Sequence, residues 1–204
     1  MSNPSMKNGG STVREHLVTS FRLVLAMTIL LGLGYPVVVW GAARLIASKA
    51  STGSFENAGG RVVGSSLIGQ KFAAAGHFHG RPSAAGDAGY DATSSGGTNL
   101  APTSKKLADS IKAAVEAVRK DDPAPGPVPA DAVTSSASGL DPNISPEYAL
   151  RQVPRVAAAT GLPEARLQGM VASRTERRFL GLFGEPRVNA LLLNLDVDGA
   201  VPKS

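Results

Sequence analysis

Apolar positions fall into one uninterrupted run and several periodic ones. Leu23 to Ala43 is twenty-one residues without a charge. As a helix it would extend about 32 Å at about 1.5 Å per residue, against a hydrocarbon core of about 30 Å. This predicts one N-terminal transmembrane helix over residues 23–43. Arg22 and Arg44 bracket it, and Tyr35 and Trp40 occupy its second half, where amphipathic rings suit the interface. Pro36 predicts a kink that frees a backbone carbonyl. Gly32 and Gly34 remove side chains just before it, so Gly32, Gly34, Tyr35 and Pro36 are expected to form a packing surface for partner helices. A cleaved signal peptide is the rival reading, with a weak site at Ser48-Lys49-Ala50. The run is longer than the roughly 7–15 residues of such a segment.

Further on, Leu107, Ile111, Val115 and Val118 recur at steps of four, four and three. This predicts a helix over about Ser104–Lys120, ended by Asp121-Asp122-Pro123. Ser145-Pro146-Glu147 supplies a cap, a first-turn proline and an acid, a strong helix start. Pro154 then interrupts, which predicts a kinked helix or two short ones ending at Thr160-Gly161. A third helix begins at Pro163-Glu164, with Leu167, Met170 and Val171 on its buried side. Strands are expected at Arg61–Gly64, Leu67–Gly69 and Val133–Ser138. Another is expected at Val188–Val197, where Leu191, Leu193, Leu195 and Val197 alternate with polar Asn194 and Asp196. Residues 76–104 hold many Gly, Pro, Ser, Thr and Asn, yet Phe78, Tyr90 and Leu100 recur. They predict an ordered, irregular, turn-rich surface. Residues 1–13 are polar and are expected to be disordered.

The pattern yields an α+β domain, an irregular α/β arrangement, anchored by one transmembrane helix. The divisions are a tip at 1–22, the span at 23–43, a linker at 44–60 and a domain at 61–204. Removing residues 1–46 leaves 158 residues with 17 Lys+Arg and 15 Asp+Glu. The net charge of +5 is thus mostly a membrane-flank effect, and no nucleic-acid partner is expected. The positive-inside count ties, with Lys7, Arg14 and Arg22 before the span and Arg44, Lys49 and Arg61 after it. The chain has no Cys, which fits either side of the membrane. His77 and His79 are the only close His pair, and no metal site is expected.

Catalytic signatures are missing. No GxxxxGK[ST] loop, no DKTGT-like phosphorylation sequence and no GxSxG elbow occurs. Asp87, Asp91, Asp141 and Asp196 could raise local cation concentration, although turn and cap roles suit each of them better. A nucleotide, if bound, would meet Gln152, with Ser95, Gly96, Gly97, Thr98 and Asn99 as a phosphate nest. The other class of reading is a membrane-anchored extracytoplasmic ligand-binding domain or enzyme. It would need a pocket of convergent ionisable groups, and the sequence shows no such set.

Several blocks are more specific. They are Gly64-Ser65-Ser66-Leu67-Ile68-Gly69-Gln70; Phe78-His79-Gly80-Arg81-Pro82-Ser83-Ala84; Ser95-Gly96-Gly97-Thr98-Asn99-Leu100; and Ser138-Gly139-Leu140-Asp141-Pro142 with Ile144-Ser145-Pro146. Gly184-Glu185-Pro186-Arg187-Val188-Asn189 and Leu193-Asn194-Leu195 follow. In this order, after a span with Tyr35-Pro36, they resemble the C subunit of the bacterial Kdp potassium-transporting ATPase (KdpC), over about residues 20–198. His77 stands where that family more often has Tyr, Thr98 where Ser is usual, and the N-terminal tip is longer.

The resemblance implies a non-catalytic accessory subunit of a high-affinity potassium uptake complex in the bacterial inner membrane. Its partners would be a channel-like potassium-selecting subunit, a P-type ATPase subunit, a small helical subunit and membrane lipid. It implies a cytoplasmic N-terminus and a periplasmic or extracellular domain. It also implies a catalytic-chaperone role that raises ATP affinity. A domain across the membrane from cytoplasmic ATP favours instead a structural and gating role at the outer mouth of the channel-like subunit. No cofactor of its own is expected, and ATP would enter only through the complex.

Overall fold

The structure, a computed structural model, describes residues 9–201. It divides into two compact units that meet at Gly53/Ser54.

The first unit is a continuous helical rod. α1 spans Gly9–Met27, a π-helical stretch spans Thr28–Gly34, and α2 spans Tyr35–Ile46. Together they include one helix long and apolar enough to cross a membrane, Thr12–Ile46. The π stretch lies directly before Pro36. Pro36 has no N–H to give, and the wider i→i+5 register accommodates that gap. The Tyr35 N–H reaches back to the Leu30 carbonyl. The polar tip was expected to be disordered, and the part within the described residues is helical. Helix propagation from an established apolar helix needs no new nucleus, so α1 extends back to Gly9. Residues 1–8 of that expectation lie outside the described residues. After α2 a 3-10 turn, Ala50–Thr52, ends at Gly53 with φ 97°.

The second unit is α+β. β1 (Phe55–Ala58) and β2 (Arg61–Ser65) pair as an antiparallel hairpin with a bulge at Glu56/Asn57. β1 thus lies inside the stretch expected to be linker. Residues 66–104 hold no helix or strand, and for 76–104 this is what the turn-rich composition predicts. α3 spans Lys105–Asp121, and its apolar stripe is half-buried. Neither Leu67–Gly69 nor Val133–Ser138 is a strand. The Ile68 N–H closes a turn on Ser65, and Val133 closes a 3-10 turn on Ala130.

β3 (Asn143–Ile144) leads into α4 (Pro146–Thr160). The Ser145 hydroxyl caps α4 by accepting from the Tyr148 N–H, and Gly161 ends it at φ 71°. α4 continues through Pro154 as one helix. α5 spans Glu164–Arg174, β4 Thr175–Glu176 and β5 Arg187–Asn189. The small sheet is antiparallel in the order β3-β5-β4.

The long C-terminal strand is corrected. β5 stops at Asn189, and α6 spans Ala190–Ala200. The Asn189 side chain accepts from the Leu192 N–H and turns strand into helix. Ala190, Leu191, Leu193, Asn194 and Val197 are buried. A helix apolar on most of its circumference mimics strand alternation over a few residues. The core joins α4, α5 and α6 to β5 through Ile144, Val153, Val156, Leu167, Val171, Val188, Leu193 and Val197. Phe78, from the irregular segment, is fully buried among them.

Candidate functional site

Phe78-His79 is a strip that belongs to no helix or strand, so its backbone polar groups need other partners. Two buried side-chain amides supply them. The Asn194 Oδ1 accepts from the Phe78 N–H at 2.7 Å, and its Nδ2 donates to the Phe78 carbonyl at 2.9 Å. The Gln152 Oε1 accepts from the His79 N–H at 2.7 Å, and its Nε2 donates to the His79 carbonyl at 3.2 Å. Both amides are buried, at 2% and 0% exposure. Arg155 adds a third tie. It donates to Gln152 Oε1, to the carbonyls of Ala75 and His77, and to the buried Asp122 carboxylate at 2.8 Å.

The strip then enters a knot of turns. The Ser83 hydroxyl donates to the Gly139 carbonyl at 2.6 Å and accepts from the N–H groups of Ala85 and Tyr90. The Tyr90 hydroxyl donates to the Arg81 carbonyl at 2.6 Å, and the Arg81 guanidinium meets Asp141 at 3.3 Å. Gly139, at φ 67°, must be glycine for a second reason. A Cβ there would lie 2.6 Å from the Gly96 carbonyl oxygen and 2.7 Å from the Ala85 nitrogen.

A cleft of about 460 Å³ opens beside this knot, lined among others by Lys71, Phe72, His79, Tyr90 and Tyr148. Burial first, and then the Arg155 charge, holds His79 below its ordinary value of 6.5. Burial raises Tyr90 to about 12 and pushes Tyr148 up as well. The imidazole and both phenols are therefore neutral near pH 7. They form a neutral, hydrogen-bonding wall and not an acid–base pair.

The sequence-predicted residues are placed as follows. Gln152 spends its amide on His79 and Arg155. The Ser95–Asn99 turn lies against the 137–139 loop: the Ser95 hydroxyl and the Gly96 N–H both donate to the Ser138 carbonyl, at 3.0 and 2.9 Å. A Cβ on Gly97 would lie 2.9 Å from the Ala137 carbonyl oxygen. Thr98 and Asn99 are exposed. The residues lining the cleft include neither Gln152 nor this turn. Gly32 and Gly34 lie in the π stretch. A Cβ there would meet only Thr28 Cγ2 at 3.9 Å and the Ile29 carbonyl at 3.7 Å, so crowding within the chain does not demand glycine. Tyr35 is 63% exposed, and the Arg44 guanidinium stacks 5.9 Å from the Trp40 ring.

His77 meets Asp198 at 2.9 Å, and the His79 Nε2 lies 3.3 Å from the Ala74 carbonyl oxygen. Among the described residues no group of three His, Asp or Glu is placed to hold a metal ion. Asp91 caps Thr93, Asp141 serves Arg81 and Asn143, and Asp196 forms a two-bond pair with Arg174 at 2.6 Å. Sequence reasoning gave no role to Arg155, read Asp122 only as part of the stop of α3, and read Asn194 only as a polar position of the expected strand. The signal for Asn194 was a lone amide inside an apolar run.

The family model described as K+-transporting ATPase, c chain (KdpC) matches residues 17–199. The chain is 47% identical over 191 residues to the potassium-transporting ATPase KdpC subunit of Koribacter versatilis (strain Ellin345), covering 93% of this chain and 97% of that protein. Proteins of the same name from Methylobacterium nodulans and Myxococcus xanthus are 51% and 52% identical. These alignments cover 90% and 89% of this chain, and 96% and 86% of the relatives.

Proposed function

Because the chain belongs to the KdpC family, we propose that it works as a membrane-anchored assembly subunit of a potassium-transporting ATPase. It is an accessory subunit, and ATP hydrolysis belongs to another chain of the complex. The observation that carries this reading is the extent of the match, 17–199, which takes in both the apolar helix and the α+β unit.

Two features support an assembly role. The apolar helix exposes all its described side chains along the span except for half-buried Gly41 and Ala43, with Gly32 and Gly34 open for close approach by a neighbouring helix. The polar residues of the α+β unit that looked most specific are spent on its own architecture. In this reading the partners are a channel-like potassium-selecting subunit, a P-type ATPase subunit and a small helical subunit. The N-terminus is cytoplasmic, and the α+β unit stands outside at the mouth of the channel-like subunit. Nucleotide stays on the ATPase subunit, and any effect on its ATP affinity travels through the membrane helices.

The test is reconstitution of the complex with and without this chain. Potassium-stimulated ATP hydrolysis and recovery of the intact complex should be lost together in its absence. Full activity from a complex lacking the chain would overturn the proposal. Protease added to intact spheroplasts should digest the α+β unit, and protection until lysis would reverse the orientation.

A further inference from the structure

Five arginines of the α+β unit meet a carboxylate: Arg81 with Asp141, Arg155 with Asp122, Arg174 with Asp196, Arg178 with Glu185 and Arg187 with Glu176. Arg61, Arg119, Arg166 and Arg177 are exposed, so water serves them. Arg151 belongs to neither group. It is 8% exposed, and its guanidinium has no hydrogen bond or ion pair among the described residues. Its Nε is the one enclosed side-chain nitrogen or oxygen among them that lacks a partner. A guanidinium carries five N–H donors and cannot shed its charge. A buried charge is ordinarily paired, because desolvation without a counter-ion is costly.

The surroundings of Arg151 say what is missing. Residues of a helix advance by about 100° each. Arg151 therefore falls on α4 between the buried face, with Tyr148 and Gln152, and the exposed face, with Glu147, Leu150 and Pro154. The chain's own acids do not serve it. Asp122 is taken by Arg155 at 2.8 Å, and Asp131 accepts from the Ser145 N–H and hydroxyl at 2.6 and 2.9 Å. Glu147, one turn earlier, has the spacing of a helical ion pair but forms none. The cleft beside the turn knot is not lined by Arg151, so a ligand there would leave it unpaired. Leu150 is 46% exposed beside it. An inorganic anion gains nothing from Leu150 and Pro154, whereas a protein side chain with apolar neighbours covers both. Arginine set among apolar groups is a common anchor of protein interfaces.

We propose that Arg151 anchors a protein interface and that its missing partner is an Asp or Glu side chain on another subunit of the complex. The carboxylate accepts from the outer edge of the guanidinium, and the groups around it cover Leu150 and Pro154. The inference rests on the assembly role and names the chemistry of one of its contacts.

Full-length Arg151→Met keeps an unbranched stem and drops the charge. An apolar side chain in place of an unpaired buried charge should leave the melt of the chain alone, in detergent, unchanged or raised. Recovery of the complex should nonetheless fall several-fold, and Arg151→Lys should restore part of it by keeping the charge. Arg151→Lys also introduces an amine. In the assembled complex a water-soluble carbodiimide should join that amine to the partner carboxylate as an amide, the carbodiimide taking up the water lost. Mass spectrometry should then find position 151 linked to an acidic peptide of another subunit, and no such link in the unsubstituted complex. This arm decides even where Arg151→Met melts early, because Arg151→Lys keeps both stem and charge. Linkage to Glu147 alone would place the partner within the chain and overturn the proposal, as would a recovered complex with no link at all. Inorganic phosphate that raises the melt of the unsubstituted chain but not of Arg151→Met would assign the site to a free anion and overturn it too. Full recovery with Arg151→Met would also sink it, yet leave the assembly role standing, since that role fails only if a complex without this chain is fully active.

Discussion

The side chain of Gln152 pairs with the backbone of His79 as a neighbouring strand would, accepting at 2.7 Å and donating at 3.2 Å. Asn194 does the same for Phe78. One amide from α4 and one from α6 therefore clamp a two-residue strip that has no sheet of its own. This fixes Phe78 in the core and sets the start of the turn-rich knot that follows.

Gln152→Ala should lower the stability of the α+β unit. It leaves the His79 N–H unpaired and takes an acceptor from Arg155, a loss of about 1–3 kcal/mol. Below the melting transition the complex should still assemble, with the apparent KM for ATP unchanged. A several-fold rise in that KM in a fully assembled, thermally unaltered complex would instead assign Gln152 a role toward nucleotide.

Asn194→Ala should cost a similar amount, and the double variant less than the sum. Once either amide is gone, the strip can relax toward solvent and the other clamp holds less. Chemical denaturation of the four corners of the cycle should give a coupling of about 0.5–3 kcal/mol. Strict additivity would mean that the two amides act independently.

Much of the fold was legible along the chain, because helix signals are local. Ser145-Pro146-Glu147 starts α4, Gly161 ends it, and the Leu107–Val118 stripe marks α3. α6 was misread because Leu191, Leu193, Leu195 and Val197 fall at every second position over seven residues, with polar Asn194 and Asp196 between the last three. The capping residue Asn189 was the contrary sign. Gln152 could be singled out, but its partner could not. Its hydrogen bonds reach 73 residues back, and those of Asn194 reach 116. A single sequence holds no periodicity that reports such pairings.

Stability should fall on acidification below about pH 6.5. Burial and the Arg155 charge lower the His79 pKa from its ordinary value of 6.5, so the folded state binds fewer protons there than the unfolded chain. The linkage contribution is complete above the unfolded value and is lost as pH falls through 6.5 toward the folded value. Melting temperatures measured between pH 7.5 and 5 should decline less steeply for His79→Gln. An identical slope would show that other groups carry the dependence.

Gly32→Leu with Gly34→Leu should separate the two units functionally. Neither position is crowded within the chain, since a Cβ would find its nearest neighbours at 3.9 and 3.7 Å. Both sit in the π stretch that accommodates Pro36, and leucine is a better helix former than glycine by about 0.8 kcal/mol. The isolated chain should therefore insert and fold as before, with an unchanged melt of the α+β unit. Added bulk matters only where another helix approaches closely, as small residues permit in membranes. Recovery of the complex in detergent and potassium-stimulated ATP hydrolysis should then fall in parallel. Loss of activity from a complex recovered in full would move the role of these glycines from packing to motion about the π stretch. Full recovery with full activity would show that no partner helix approaches this face.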